Sequence, residues 1–140
     1  SMLDVSIRAE ILELMSEIQK NHKISFIYIT HDLATAKYFA DRIIILYDGK
    51  IVETGDINDV LTKPKHPYTR ALLDSIINLD DDKTTPLRTI PGAPLIPINL
   101  LPGCSFRDRC PDAVDRCNHV DPEVQTFLNS HLVSCHQVNK

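Results

Sequence analysis

Seven consecutive residues at 24–30, ISFIYIT, constrain the fold more than any other stretch of this chain. They are mostly β-branched or aromatic and lack polar alternation, which is the pattern of a strand covered on both faces. Such a strand implies a parallel sheet with helices packed over it. The flanking residues supply the helices. Ile7, Ile11, Leu14, Met15 and Ile18 recur at helical spacing and predict an amphipathic helix over 6–20, which Asp4 or Ser6 can cap. His31-Asp32 opens a second helix over 33–40, and RIIILY at 42–47 predicts a second buried strand. Asp48-Gly49 then makes a tight hairpin turn into a strand at 50–53, adding an antiparallel edge. Asp56 can cap a short helix through 61, and Pro67, tolerated in a first turn, starts another over 68–77. Alternating helices and strands make the fold class α/β.

Beyond residue 80 the character changes. Pro86, Pro91, Pro94, Pro97 and Pro102 each remove a backbone donor and fix φ, so an extended surface linker is expected there. All four cysteines follow it, at 104, 110, 117 and 135. With 140 residues, 43% of them hydrophobic, there is material for one packed domain with an appendage. The formal charge of −4 is spread through the chain, and residues 103–140 hold four Lys/Arg against five Asp/Glu, so nucleic acid is not the expected partner. The longest apolar stretches are strand-sized, well short of the ~20 residues a membrane-crossing helix needs. No basic stretch followed by an apolar one opens the sequence, so a secretory leader is not expected.

A histidine directly after a buried strand lies at the carboxyl end of a sheet, where open α/β folds bind ligands. His31 holds that position, and the plainer alternative is a histidine that only begins the next helix. Phosphoryl-transfer chemistry also needs a glycine-rich loop with a lysine, a magnesium-binding aspartate and a group that orients water. With 4 glycines and no G-x-x-x-x-G-K-[ST] run, the chain holds no phosphate-gripping loop.

The order Leu3-Asp4 before a helix, FIYITHD at 26–32 and ADRIIILYDGKIVETG at 40–55 resembles the distal half of an ABC transporter ATPase. HPYTRALLDSI at 66–76, IPGAP at 90–94, PGCSFRDRCPDAVDRC at 102–117 and SCH at 134–136 resemble the C-terminal extension of oligopeptide and dipeptide importer ATPases. The resemblance implies a partial ABC-ATPase core of the P-loop NTPase class over 1–78, a linker over 79–103 and a cysteine module over 104–140. It makes His31 the switch histidine that contacts the γ-phosphate of ATP, and Asp4 a D-loop residue at the dimer interface. It implies a parent subunit, cytoplasmic and peripheral on the inner face of the membrane, that pairs with a second ATP-binding subunit and drives permease subunits importing peptides. ATP and magnesium would be held only by that parent, and the chain alone is expected not to hydrolyse ATP. With neighbouring strands missing, the chain is expected to form a homo-oligomer. The rival reading is a metal- or cluster-binding interaction module on an α/β scaffold.

The spacings C-x5-C, C-x6-C and C-x17-C do not match the short knuckles of zinc fingers. Four thiolates can still hold zinc or the irons of a [4Fe–4S] cluster. The resemblance favours the cluster on Cys104, Cys110, Cys117 and Cys135; zinc, disulfides and free thiols stay open. His119, His131 and His136 could act as ligands, although polar surface histidines are commoner. Arg107, Arg109 and Arg116, interleaved with Asp108, Asp112 and Asp115, are expected to form a solvated charged face.

Overall fold

The computed structural model describes residues 5–77, 102–128 and 130–138. Asp4 and most of the proline-rich linker, including Pro86, Pro91, Pro94 and Pro97, lie outside the described residues. The chain divides into two compact units, Ser1–Phe39 and Ala40–Lys140.

In the first unit, helix α1 spans Val5–His22, slightly longer at both ends than its apolar periodicity predicts. Lys20 and His22 occupy its last turn, where cations meet the negative end of the helix dipole. It stops because Lys23 takes φ 53°, the left-handed conformation that ends helices. Helix α2 spans Leu33–Phe39. Asp32 caps it: its carboxylate accepts from the Thr35 amide at 3.1 Å and from the Thr35 hydroxyl. The expected buried strand at 24–30 is not a strand. Among the described residues nothing pairs with it, and Ile27 and Ile29 are 95% and 91% exposed. Apolar composition suits a segment to a sheet interior, but only hydrogen-bonding neighbours make the ladder. Tyr28 packs edge-on against Phe39, with ring centroids 6.0 Å apart.

The second unit is built on a four-stranded, wholly antiparallel sheet, so the expected parallel core is replaced. Strands β1 (Arg42–Tyr47) and β2 (Lys50–Asp56) form the predicted hairpin. Asp48 and Gly49 turn it at φ 50° and 73°, the double positive φ that two-residue turns require. β1 is covered on one face only: Ile43 and Ile45 are buried, Ile44 and Leu46 exposed. Ile45 faces Glu53 and Leu46 faces Ile51, leaving Val52 as the extra residue of a bulge. That bulge breaks the alternation and turns both Val52 and Glu53 inward.

Helix α3 (Ile57–Thr62) starts at Asp56, whose carboxylate accepts from the Asn58 amide at 2.9 Å. Helix α4 spans Pro67–Ile77, as the proline predicts. After residue 102 come two single 3-10 turns, Arg107–Arg109 and Asp115–Asn118, then β3 (Val124–Leu128) and β4 (His131–Ser134). The sheet order is β1-β2-β4-β3, so the cysteine-bearing segment donates β4 directly to β2, with Glu53 opposite Val133 and Thr54 opposite Leu132.

Candidate functional site

His31 is exposed between the 24–30 segment and α2. It lines a small hollow of about 260 Å³ with Arg8, Tyr28 and Thr30. The guanidinium of Arg8 stands 3.6 Å from the Asp32 carboxylate. That carboxyl is held below its usual range, chiefly by the Thr35 hydroxyl and then by the Thr35 amide. Asp32 is thereby committed to the helix cap, and the imidazole next to it is open to a ligand.

In the second unit Glu53 is a fully buried acid, with 0% exposure. One carboxylate oxygen accepts from His131 Nε2 at 2.7 Å and from the Lys65 amide at 2.8 Å; the other accepts from the His66 amide at 3.0 Å. Three separate pieces of chain, β2, the approach to α4 and β4, are thus tied to one side chain. His66 is the N-cap of α4: its Nδ1 accepts from the Tyr68 amide at 3.1 Å, and Pro67 fills the first helical position, where no donor is needed. Burial pushes His66 down to about 4, with the nearby Arg70 cation adding to the effect. The ring is therefore neutral at pH 7, as a capping acceptor must be.

Phe106, 1% exposed, plugs an aromatic box formed by Tyr47, His66 and Tyr68, with centroids 5.0, 5.7 and 5.4 Å away. This anchors the loop carrying Cys104 and Cys110 to the hairpin and to α4. Arg70 of α4 meets Asp112 at 3.0 Å across the same seam. Thr69 is fully buried, and its hydroxyl has no partner among the described residues.

All four cysteines are free; Cys117 and Cys135 are buried, Cys104 and Cys110 half-buried. The Cys104 amide donates to the Cys117 carbonyl at 2.8 Å. Gly103, at φ 98°, permits that approach, since a Cβ there would lie 2.4 Å from the Cys117 oxygen. The thiols share one neighbourhood. Cys110 is pushed up to about 11 by burial first, and Asp112, Cys135 and Cys104 add to it. Burial also raises Cys104 and Cys135, with Cys117 adding to the first and Cys104 and Cys117 to the second. No group of three or more His, Cys, Asp or Glu side chains among the described residues is arranged to hold a single metal ion.

The histidines weighed as ligands have other roles. His131 is not a surface residue but the buried partner of Glu53. His136 Nε2 donates to the Val120 carbonyl at 2.9 Å, and His119 lies 3.8 Å from Asp115. Arg107 departs from the expected solvated face: its guanidinium donates to the Pro102 carbonyl at 2.7 Å and is only 13% exposed, bracing the loop before Cys104. Glu53 went unnoticed in the sequence because strand alternation would turn it outward beside Val52; only the bulge brings it in.

A family profile described as the oligopeptide/dipeptide transporter, C-terminal region, matches residues 52–117. A Brucella ovis protein named as a peptide import ATP-binding protein is 39% identical over 135 residues, which is 96% of this chain and 43% of that relative. The oligopeptide transport ATP-binding protein AppD of Bacillus subtilis is 41% identical over 133 residues, 95% of this chain and 40% of the relative. The dipeptide transport ATP-binding protein DppD of Haemophilus influenzae is 42% identical over 134 residues, 96% of this chain and 40% of the relative. The chain thus spans about two-fifths of the length of these relatives.

Proposed function

Because the chain corresponds to the C-terminal part of an ATP-binding subunit of the oligopeptide/dipeptide ABC importers, we propose that it carries that subunit's γ-phosphate sensor, His31. The observation that carries this reading is His31 itself, exposed after FIYIT while its neighbour Asp32 is fixed as the cap of α2. In the whole subunit, ATP and magnesium would be gripped by residues that this sequence lacks. The imidazole of His31 would then donate to a γ-phosphate oxygen, and Asp4 would report across to a second ATP-binding subunit. The pair would drive permease subunits that import peptides, from the cytoplasmic surface of the membrane. Among the described residues no helix is long and apolar enough to cross a membrane.

The chain alone, without a phosphate loop, does not hydrolyse ATP in this reading. The test is His31→Ala in the whole subunit. Loss of one group that stabilises the transferring phosphoryl lowers turnover by about 10²–10³; unchanged turnover refutes the role of His31.

Cys104, Cys110, Cys117 and Cys135 are the residues that would hold a [4Fe–4S] cluster. Four soft donors gathered in one neighbourhood fit such a group. Burial raises Cys104, Cys110 and Cys135, and such thiols need nearby positive charge, which a bound group would supply, to become thiolates. When bound, the group would staple the extension or exchange an electron. Iron and acid-labile sulfide in anaerobically purified protein support the cluster; stoichiometric zinc without sulfide refutes it. The bare apolar segment at 24–30 further suggests that the isolated chain self-associates.

A further inference from the structure

We propose that Cys104 and Cys117 are a reversible dithiol–disulfide pair whose co-reactant is a low-molecular-weight disulfide such as oxidised glutathione. Of the four cysteines, these two are joined directly through the backbone, by the Cys104 amide donating to the Cys117 carbonyl at 2.8 Å. With ordinary backbone bond lengths a 2.8 Å N···O contact keeps the two Cα atoms within about 6.7 Å of each other, under the upper limit of about 6.8 Å that a disulfide spans. Gly103 holds this approach open, because its missing Cβ leaves room for the Cys117 carbonyl and the Asn118 backbone. Two further contacts fix the Cys104 strand of the loop: Phe106 in its aromatic box, and Arg107 on the Pro102 carbonyl. Cys110 lacks an equivalent arrangement; its amide is used within the 3-10 turn, donating to the Arg107 carbonyl at 3.2 Å.

Exposure sets the order of steps. Cys104 is half-buried and Cys117 buried, so Cys104 meets the oxidant first. The Cys104 thiolate attacks one sulfur of the oxidised glutathione, breaking its S–S bond, forming a mixed disulfide and releasing one glutathione thiolate. The Cys117 thiolate then attacks the Cys104 sulfur, forming the internal bond and releasing the second glutathione thiolate. Two protein thiols are oxidised, one small disulfide is reduced to two thiols, and the two protons pass to the departing thiolates. The internal bond sequesters two of the four thiols, so in the oxidised chain the set cannot act together. The pairing depends only on the loop geometry and stands apart from the cluster reading above.

The test is a disulfide map of the 140-residue chain, stripped of metal with a chelator, reduced, and then exposed to oxidised glutathione. Free thiols are alkylated, and trypsin with Glu-C cuts after Arg107, Arg109, Arg116 and Glu123, leaving each cysteine on its own peptide. The expected product is one crosslinked species joining the Cys104 and Cys117 peptides, lighter by two hydrogens, with Cys110 and Cys135 alkylated. Cys110→Ser leaves the yield unchanged, and Gly103→Ala lowers the rate at least tenfold. Dominant pairing of Cys104 with Cys110 or Cys135, or glutathione persisting on Cys104 without an internal bond, would overturn the proposal. Because no metal is present, failure of the map and failure of the iron and sulfide analysis are separate results.

Discussion

Replacing Glu53 by leucine should be among the most damaging single changes to the second unit. The carboxylate is fully buried and satisfies His131 Nε2 at 2.7 Å, the Lys65 amide at 2.8 Å and the His66 amide at 3.0 Å. Leucine is close in size, so the loss is of acceptors rather than packing. Each donor left buried without a partner costs roughly 1–3 kcal/mol, and local shifts that admit water recover part of that. Three donors left without their acceptor, less what such shifts recover, give a net figure of about 3–5 kcal/mol for this variant. Against a domain stability of about 5–15 kcal/mol, that is a large fraction. Glu53→Gln keeps one acceptor but turns an amide donor toward a donor, and should cost about 1–3 kcal/mol. Urea unfolding followed by far-ultraviolet circular dichroism measures both variants. The double variant Glu53→Leu/His131→Leu should cost less than the sum of the two single changes, since it leaves no unpaired imidazole. Amides of β4 should exchange hydrogen faster in Glu53→Leu, because that strand loses its anchor to β2. A Glu53→Leu chain within about 0.5 kcal/mol of the parent would refute this reasoning, since changes away from buried networks fall in that range.

Stability should fall with acid through His66. Its folded value of about 4 lies below the ordinary 6.5, so the unfolded chain binds the proton first. The stabilisation is complete above 6.5 and is lost as pH drops toward 4, by about 3 kcal/mol in all; His66→Asn, which keeps a capping acceptor, should flatten that part of the urea-midpoint profile. Phe106→Ala should cost about 3–5 kcal/mol by emptying the aromatic box, read as a lowered urea midpoint. Thr69→Val should be neutral or stabilising in the same assay, because the buried hydroxyl that it deletes has no partner among the described residues. Light scattering of the concentrated chain should show self-association, which Ile27→Lys with Ile29→Lys should abolish; a monomeric parent chain contradicts the expectation drawn from that bare segment.

What could be read from the sequence was local. The Asp48-Gly49 turn, the Asp56 cap and the Pro67 start each follow from one or two residues whose conformational preferences do not depend on distant partners. The limits of β1 were legible for the same reason, but its burial was not. Leu46 and Ile44 are as apolar as Ile43 and Ile45, so composition could not say which face is covered. Residues 24–30 were misread because strand formation depends on neighbours that no run of seven residues can encode. β3 and β4 carried no expectation at all: Gln125, Thr126 and His131 give no apolar alternation, and β4 is held by a strand nearly eighty positions earlier in the chain. At the candidate site, His31 was visible through the resemblance, whereas the Glu53–His131 pair was not. Their pairing needs a bulge at Val52 and a long-range strand contact, and neither leaves a mark in sequence spacing.

The central claim is that this chain is the γ-phosphate-sensing and C-terminal part of a peptide importer's ATP-binding subunit. Peptide uptake tests it most directly, in cells where this chain replaces the matching two-fifths of Bacillus subtilis AppD, alongside the same hybrid carrying His31→Ala. The hybrid should show ATP-dependent uptake that is lost on His31→Ala. Uptake that survives His31→Ala, or an assembled hybrid that binds ATP yet imports nothing, would contradict the claim.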